Sequence, residues 1–199
     1  MRERGLDVTR PVLAVLDGSK ALRRAVLDVF DHPVLARCQL HKIRNVKDHL
    51  PQRMRAGVER RMRDAYHARS AVEAQALLSV LACELDKTHP SAAASLREGM
   101  AETLTVLRLD VPPSLARTLR STNAIESMIG ICREHAKNVK RWRDGQMALR
   151  WCAAGMIEAS RQFRRVNGHA HLAALRAALE REVGQPVGAT CHDEAVNVA

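Results

Sequence analysis

Only two short segments of this chain read as buried strands, and both lie near its start. Residues 12–16 are a continuous apolar run between Pro11 and Asp17, and residues 34–38 form a second short run. Between them, residues 20–30 follow a helical pattern for which Ser19 is a suitable N-cap, with Leu22, Val26 and Val29–Phe30 on the predicted inner face. A strand, a crossover helix and a second strand make the βαβ unit of a parallel sheet. The sequence therefore predicts an α/β fold in which the first strand is buried on both faces.

The rest of the chain has helical patterns. Helices are predicted over residues 42–50, 52–68, 70–87, 91–107, 124–138 and 170–182, with another that Asp144 caps. Leu77, Leu78, Leu81 and Leu85 are predicted to share one buried helix face. Because two strands form only a marginal sheet, a mostly helical chain of this kind indicates part of a larger α/β domain.

The net charge of +10 is unevenly distributed. Residues 37–63 carry nine Lys and Arg against two acids, and residues 112–178 carry twelve against four, whereas the remainder is net negative. Two basic blocks favour two surfaces that contact a polyanion, with solvated helix faces as the alternative. The aromatic fraction of only 3% excludes a surface that stacks many bases.

Two carboxylates stand out. Asp17 follows the first predicted strand, at the edge of an open α/β sheet where catalytic groups collect, although Asp-Gly is also an ordinary turn pair. Glu126 is the only acid between Asp110 and Glu134, in a basic stretch. It suits a metal ligand beside a phosphate path, but Glu in the first turn of a helix is also favoured by the helix dipole.

Cys38 and His41 form a Cys-x-x-His pair, which is half of a zinc site or, more simply, a packed cysteine and a hydrogen-bonded histidine. The densest basic run, residues 133–143, includes Trp142. Its cations are suited to neutralising phosphates, and Trp142 either contacts DNA or packs between helices. No glycine-rich phosphate loop and no nucleophilic triad is recognisable.

These motifs together resemble those of the Mutator-type transposases of bacterial insertion sequences. The resemblance runs in order over residues 2–179 and rests on Leu16-Asp17-Gly18, on residues 37–46 (RCQLHKIRNV), on residues 121–127 (STNAIES) and on residues 138–142 (NVKRW). The family is similar to other DDE recombinases, which have an RNase H-like catalytic core with a helical insertion before the last acid. The resemblance therefore implies a DNA transposition and recombination enzyme.

The resemblance also assigns roles to residues. Asp17 matches the family's second catalytic Asp, Glu126 its final Glu, and Cys38 with His41 its C/D-x-x-H signature. In the complete enzyme, the implied cofactor is Mg²⁺ or Mn²⁺, held by Asp17 and Glu126 with a further Asp. The expected DNA contacts are Arg37, Lys42, Arg44, Arg120, Arg133, Lys137, Lys140, Arg141, Trp142 and Arg143.

The expected organisation has four parts: residues 1–41 as a partial RNase H-like core, 42–112 as a helical insertion, 113–182 as C-terminal core helices that carry Glu126, and 183–199 as a flexible tail. The family's first Asp belongs to a strand upstream of residue 1, so we expect an inactive fragment truncated at the N-terminus. Two alternatives stay open. One is a non-catalytic DNA-binding protein or an inhibitor that pairs with full-length transposase. The other is a small helical interaction or metal-binding protein.

The expected partners are double-stranded DNA, as transposon ends and target DNA, together with a second copy of the chain or a full-length transposase. Five widely spaced Cys argue against a disulfide framework and for a reducing compartment. The start of the chain lacks the apolar segment of a secretory signal, and no run is long enough to span a membrane. We therefore expect a cytoplasmic, nucleoid-associated bacterial protein.

Overall fold

The predicted βαβ unit is present in the computed structural model, which describes residues 5–184. Strands β1 (Val12–Leu16) and β2 (Pro33–Arg37) pair in parallel, in register from Val12↔Pro33 to Leu16↔Arg37. Helix α1 (Lys20–Val29) connects them, and the Ser19 side chain caps it by accepting a hydrogen bond from the N–H of Leu22 at 3.3 Å.

The remaining elements are helical, as the apolar spacing predicts. They are α2 (Gln39–Asp48), α3 (Gln52–Tyr66), α4 (Ala71–Asp86), α5 (Pro90–Arg97), α6 (Met100–Thr103), α7 (Thr105–Arg108), α8 (Pro113–Leu119), α9 (Asn123–Ala136), α10 (Gly145–Arg161), a 3₁₀ turn at His169–His171 and α11 (Leu172–Gly184). Asp144 caps α10, as predicted, by accepting from the N–H of Met147 at 2.6 Å.

The core has two parts. The larger one lies among α2, α3, α4 and α5, where Val46, Met62 and Leu78 are fully buried. The smaller one joins β2 to the segment from α7 to α8 and to α11, through residues such as Ala36 and Leu115. The buried residues of the larger part all lie within 42–112, the predicted helical insertion.

The prediction of one helix over residues 91–107 is wrong. The helix ends at Arg97, and Gly99 adopts the left-handed conformation, with φ of 62°, before two short helices follow. Gly99 lacks a Cβ, and a Cβ there would collide with the guanidinium of Arg37. The break is therefore set by a residue far away in the sequence. Helix α8, which follows the Pro112-Pro113 pair, is also absent from the prediction.

Three burial predictions are wrong as well. Strand β1 is only half-buried along its whole length, because it pairs with β2 on one edge and with no other strand of the described residues. Helix α1 has no buried residue, and Leu22 is 51% exposed. In α4, Leu78, Leu81 and Leu85 are buried as predicted, but Leu77 is 47% exposed, since it lies one residue away from that face.

The RNase H-like core stays a prediction, because the described sheet has two strands. The predicted flexible tail falls on residues 183–199, of which those from 185 lie outside the described residues. Within residues 5–184, every helix is too short or too polar to cross a membrane.

Candidate active site and nucleic-acid interface

The segments on either side of the helical insertion meet at the end of the sheet. β2 runs into the first turn of α2, whose N-cap is the fully buried Cys38. The N–H of Cys38 donates to the carbonyl of Leu16 at 2.7 Å, and the N–H of Gln39 donates to the carbonyl of Arg120 at 3.0 Å. The second bond holds the residues before α9 against the start of α2. The Cys-x-x-His and T-N-x-x-E segments are therefore neighbours.

A hydrogen-bonded group of three side chains forms where these segments meet. The hydroxyl of Thr122 donates to Oε1 of Glu126 at 2.5 Å, and Nδ1 of His41 lies 3.3 Å from the same hydroxyl. Because the hydroxyl has one hydrogen, which Glu126 accepts, it can only accept from His41. The tautomer of His41 with its hydrogen on Nδ1 fits this arrangement, and Nδ1 lies 3.7 Å from Oε1 of Glu126.

Thr122 is a site residue that the sequence patterns do not reveal as a functional group. Its side chain is nearly buried, at 9% exposure, while that of Glu126 is exposed. Thr122 occupies the N-cap position of α9, yet its hydroxyl bonds to Glu126 instead of a backbone N–H. The signal available in the sequence is the i, i+4 spacing of the two residues at a helix start.

Asp17 lies at the same end of the sheet. It follows β1, is exposed, and accepts a hydrogen bond from the N–H of Ser19 at 2.9 Å. Gly18 turns the chain at a φ of 107°, which glycine adopts readily. Since β1 and β2 are parallel and in register, Asp17 and the turn containing Cys38 and His41 follow neighbouring strand ends.

The donors at this edge suit a hard cation in their chemistry. Asp17 and Glu126 have exposed carboxylate oxygens, and Mg²⁺ often takes one or two carboxylates together with substrate phosphates. Among residues 5–184, no three His, Cys, Asp or Glu side chains are close enough to hold a metal ion. This also leaves the zinc interpretation of Cys38 and His41 without further ligands in the described part of the chain.

Two of the residues predicted to contact DNA are buried. Arg37 is 7% exposed, and its Nη2 lies 2.9 Å from Oε2 of Glu98. Lys42 is fully buried, donates to the carbonyls of Ser95 and Glu98, and lies 3.2 Å from Oε2 of Glu98. Both cations join the sheet edge to the end of α5. Both are paired with Glu98 in this conformation, and their contact with DNA stays a prediction.

The electrostatics of this cluster reflect its burial. Desolvation, followed by the nearby charge of Arg37, lowers the pKa of Lys42, and Glu98 partly offsets this effect. The hydrogen bond from Arg37 lowers the pKa of Glu98, with help from Lys42. Glu98 is therefore the anion that compensates the two neighbouring cations, Arg37 and Lys42, at the end of the sheet.

The other predicted DNA contacts lie nearer to solvent. Arg44 is exposed on α2, and Arg120 is half-buried before α9. Helices α9 and α10 pack against each other, with Gly155 close to Cys132. The end of α9 and the loop to α10 carry the exposed remainder of the set: Arg133, Lys137, Lys140, Arg141, Trp142 and Arg143.

Residues 133–143, which are the end of α9 and the loop that follows it, form a basic strip. Two of its cations form ion pairs with neighbouring acids. Lys137 pairs with Glu134 at 2.6 Å and Arg143 with Asp144 at 3.0 Å, and all four side chains are exposed. Exposed pairs of this kind contribute little and exchange readily with other anions. Trp142 is 46% exposed, so about half of its surface is open to a partner.

Comparison with known proteins gives the family of the chain. The family model "Transposase, Mutator family" matches residues 1–166. The chain is 29% identical over 140 residues to the transposase for insertion sequence element IST2 of Acidithiobacillus ferrooxidans, covering 70% of this chain and 46% of that protein. It is 26% identical over 176 residues to the transposase for ISRM5 of Rhizobium meliloti (strain 1021), covering 88% and 44%.

The transposase for IS6120 of Mycolicibacterium smegmatis is 28% identical over 174 residues, covering 87% of this chain and 52% of that protein. The chain thus spans about half the length of the curated relatives it matches. The family match covers both motif segments that meet at His41 and Glu126, as well as Asp17. The chain belongs to the Mutator family of transposases.

Proposed function

We propose that this chain forms part of the catalytic unit of an insertion-sequence transposase, with Asp17 and Glu126 as two of its catalytic carboxylates. The observation that carries this proposal is the meeting of His41, Thr122 and Glu126 at the sheet end where Asp17 follows β1. A catalytic group at the carboxyl end of a parallel strand is the general arrangement of open α/β sheets. Family membership supports the same assignment.

We assign Mg²⁺, or Mn²⁺ in its place, to Asp17 and Glu126. When bound, such ions activate the attacking oxygen and stabilise the leaving oxygen in phosphoryl transfer. The chain's own contribution is orientation. The Thr122 hydroxyl fixes one oxygen of Glu126, and Nδ1 of His41 contacts that hydroxyl and lies close to the same oxygen. The other oxygen of Glu126 is left for a ligand.

The proposed substrate is double-stranded DNA, both transposon ends and target. The basic strip of residues 133–143 and the exposed Arg44 supply cations for its phosphates. The strip continues from α9, the helix that carries Glu126. A strand bound along it would therefore lead toward the carboxylate. The same proposal includes an RNase H-like core for the complete catalytic unit and association with the nucleoid.

These 199 residues, assayed by themselves, are proposed to bind DNA without cutting it. Two-metal phosphoryl transfer needs a dense set of carboxylates, and residues 5–184 bring no third acidic ligand beside Asp17 or Glu126. The proposed inactivity concerns the incomplete set of carboxylates in these residues. A longer protein that supplies another Asp is expected to be active.

The test uses the purified chain with labelled duplex DNA. We expect binding at low salt and no nicking or strand transfer with Mg²⁺ or Mn²⁺. Mn²⁺ binding in the presence of DNA, followed by electron paramagnetic resonance, should weaken in Asp17→Asn and Glu126→Gln but not in the control Asp28→Asn. Cleavage that Asp17→Asn abolishes would overturn the inactivity of these residues, and unchanged Mn²⁺ binding in both variants would overturn the ligand assignment.

A second candidate is a non-catalytic DNA-binding partner, or an inhibitor, of full-length transposase. It is favoured by exposed apolar side chains on and after α10, because Leu149, Ile157 and Phe163 are each more than 60% exposed. Co-purification of the chain with a full-length relative, lost on Ile157→Glu, would support it. A chain that stays separate from the full-length protein would exclude it.

A further inference from the structure

A cavity of about 770 Å³ opens beside the T-N-x-x-E segment. It is lined by the end of α3, by the chain from α7 into α8, and by the residues that lead into α9. Ser121 and Asn123, the neighbours of Thr122 on either side, are part of its wall. The cavity therefore adjoins the group formed by His41, Thr122 and Glu126.

Arg120, in this wall, has no counter-ion among residues 5–184. Its Nε is buried and has no hydrogen-bond partner, and no acidic group of the described residues offsets its charge. Desolvation is the one resolved effect on Arg120, and it lowers the pKa. A partly buried charge that the protein leaves uncompensated is costly to the folded state.

The rest of the lining adds positive charge. Arg117 lines the cavity and forms no ion pair within residues 5–184, and Arg63 lines it while pairing with Glu59 at 2.7 Å. Asp110 is the acidic residue of the lining. Because Arg63 is paired, the balance rests on Arg117 and Arg120 against Asp110, which leaves the cavity net positive. The planar guanidinium fork matches the oxygens of a phosphate, which makes an anion of that type the natural occupant.

We propose that this cavity binds a phosphate group of the DNA strand that is held at Glu126, with Arg120 as its main ligand and Arg117 as the second. This inference rests on the proposed function and adds to it a defined phosphate position next to the carboxylate. Because Arg120 precedes Thr122 by two residues and its carbonyl accepts from Gln39, a phosphate bound there also ties the substrate to the junction of the two motif segments.

The first measurement is the salt dependence of duplex binding, by fluorescence anisotropy from about 50 to 200 mM NaCl. Each neutralised phosphate contributes about 0.9 to the slope of log K against log salt. Arg120→Gln should lower the slope by about that amount and weaken binding at low salt. Arg120→Lys keeps the charge and should keep most of the slope. The matched control is Arg176→Gln on α11, whose exposed side chain pairs with Glu180.

The second measurement needs no DNA. In phosphate-free buffer, Arg120→Gln should raise the melting temperature, because it removes an uncompensated charge, whereas a purely structural arginine would lower it when replaced. Inorganic phosphate, compared with chloride at equal ionic strength, should raise the melting temperature of the unaltered chain and of Arg176→Gln. It should have a smaller effect on Arg120→Gln and on Arg117→Gln.

The outcomes separate the inference from the proposed function. DNA binding with an unchanged salt slope and an unchanged phosphate effect in Arg120→Gln would overturn the inference and leave the proposed function standing. No DNA binding, with a phosphate effect that Arg120→Gln removes, would make the cavity a site for free phosphate and overturn its assignment to DNA. A lower melting temperature of Arg120→Gln, with no phosphate effect in any variant, would show a structural role and overturn the inference.

Discussion

Nη2 of Arg37 lies 2.9 Å from Oε2 of Glu98, and this ion pair ties the last residue of β2 to the end of α5. The guanidinium fits against two glycines, Gly18 and Gly99, both of which have positive φ. Gly18 is the residue after Asp17. The position of the carboxylate at the end of β1 thus depends on a contact between the sheet and the helical insertion.

Replacement of Gly18 by alanine should destabilise the chain. A Cβ on Gly18 would lie 2.5 Å from Nη2 of Arg37, and the φ of 107° disfavours any other residue. We expect a loss of about 2 kcal/mol in the free energy of unfolding, measured with urea. The matched control is Gly57 in α3, where an added Cβ would have no neighbour within 4 Å. Gly57→Ala should stabilise by roughly 0.5–1 kcal/mol, and equal effects at both sites would contradict the close fit of Arg37 against Gly18.

The stabilisation from Glu98 should depend on pH. Its pKa is lowered in the folded state, chiefly by the hydrogen bond from Arg37, relative to the usual value of 4.5. A lowered carboxyl pKa stabilises the fold above the unfolded pKa, and that contribution disappears as the pH falls through the folded pKa. Glu98→Gln should therefore melt below the unaltered chain at pH 7, and the gap should close below about pH 4. A gap that stays constant between about pH 7 and pH 3 would rule out the ion pair as its cause. Glu180→Gln is the exposed control.

Substitution of Lys42 should affect stability, whereas substitution of Arg44 should affect DNA binding, although both residues lie in the basic block of residues 37–63. Lys42 is buried and bonded to two carbonyls, so Lys42→Met should cost about 2 kcal/mol of stability. Arg44 is exposed, so Arg44→Gln should leave the melting temperature nearly unchanged and lower the salt slope of DNA binding by up to about 0.9. An unstable Arg44→Gln, or a Lys42→Met of normal stability, would reverse these roles.

The sequence is enough to predict the elements that depend on local pattern. The βαβ unit follows from two apolar runs, and the caps at Ser19 and Asp144 follow from side chains that reach a backbone N–H three residues away. The break at Gly99 is not predictable in this way. It accommodates the guanidinium of Arg37, which donates to the carbonyl of a residue 61 positions further along the chain.

The candidate site also depends on contacts between residues that are distant in the sequence. Asp17 and Glu126 are candidates because of their neighbours in the sequence and the family resemblance, and their catalytic role stays a prediction. The contact between Thr122 and His41 joins residues 81 positions apart, so no spacing rule finds it. The burial of Arg37 and Lys42 is missed because arginine and lysine are rarely buried unless they are paired, and their partner Glu98 lies on the far side of α3 and α4 in the sequence.

Thr122→Val should separate the orienting hydroxyl from the bulk of the side chain. The change keeps the shape but removes the donor to Glu126 and the acceptor for His41. We expect a loss of about 1 kcal/mol in stability, together with weaker Mn²⁺ binding in the presence of DNA. Thr122→Ser keeps the hydroxyl and is the control. If valine and serine variants bind Mn²⁺ equally, the hydroxyl has no part in presenting Glu126.

Trp142 provides the test of the basic strip. Trp142 is 46% exposed in the loop between α9 and α10, so Trp142→Ala should change stability by less than about 0.5 kcal/mol. Stacking or wedging against DNA would make the same change costly for binding, by roughly 1 kcal/mol or more. Trp151 lies within α10 and is 37% exposed, which makes Trp151→Ala the comparison for a helix-bound tryptophan. Fluorescence anisotropy gives the DNA affinity of each variant, and urea unfolding gives its stability. Together they distinguish DNA contact from helix packing as the role of Trp142. If Trp142→Ala lowers the stability of the free protein but leaves DNA affinity unchanged, the ring packs α9 against α10. A packing contact exists without DNA, so its loss is measurable in the free protein.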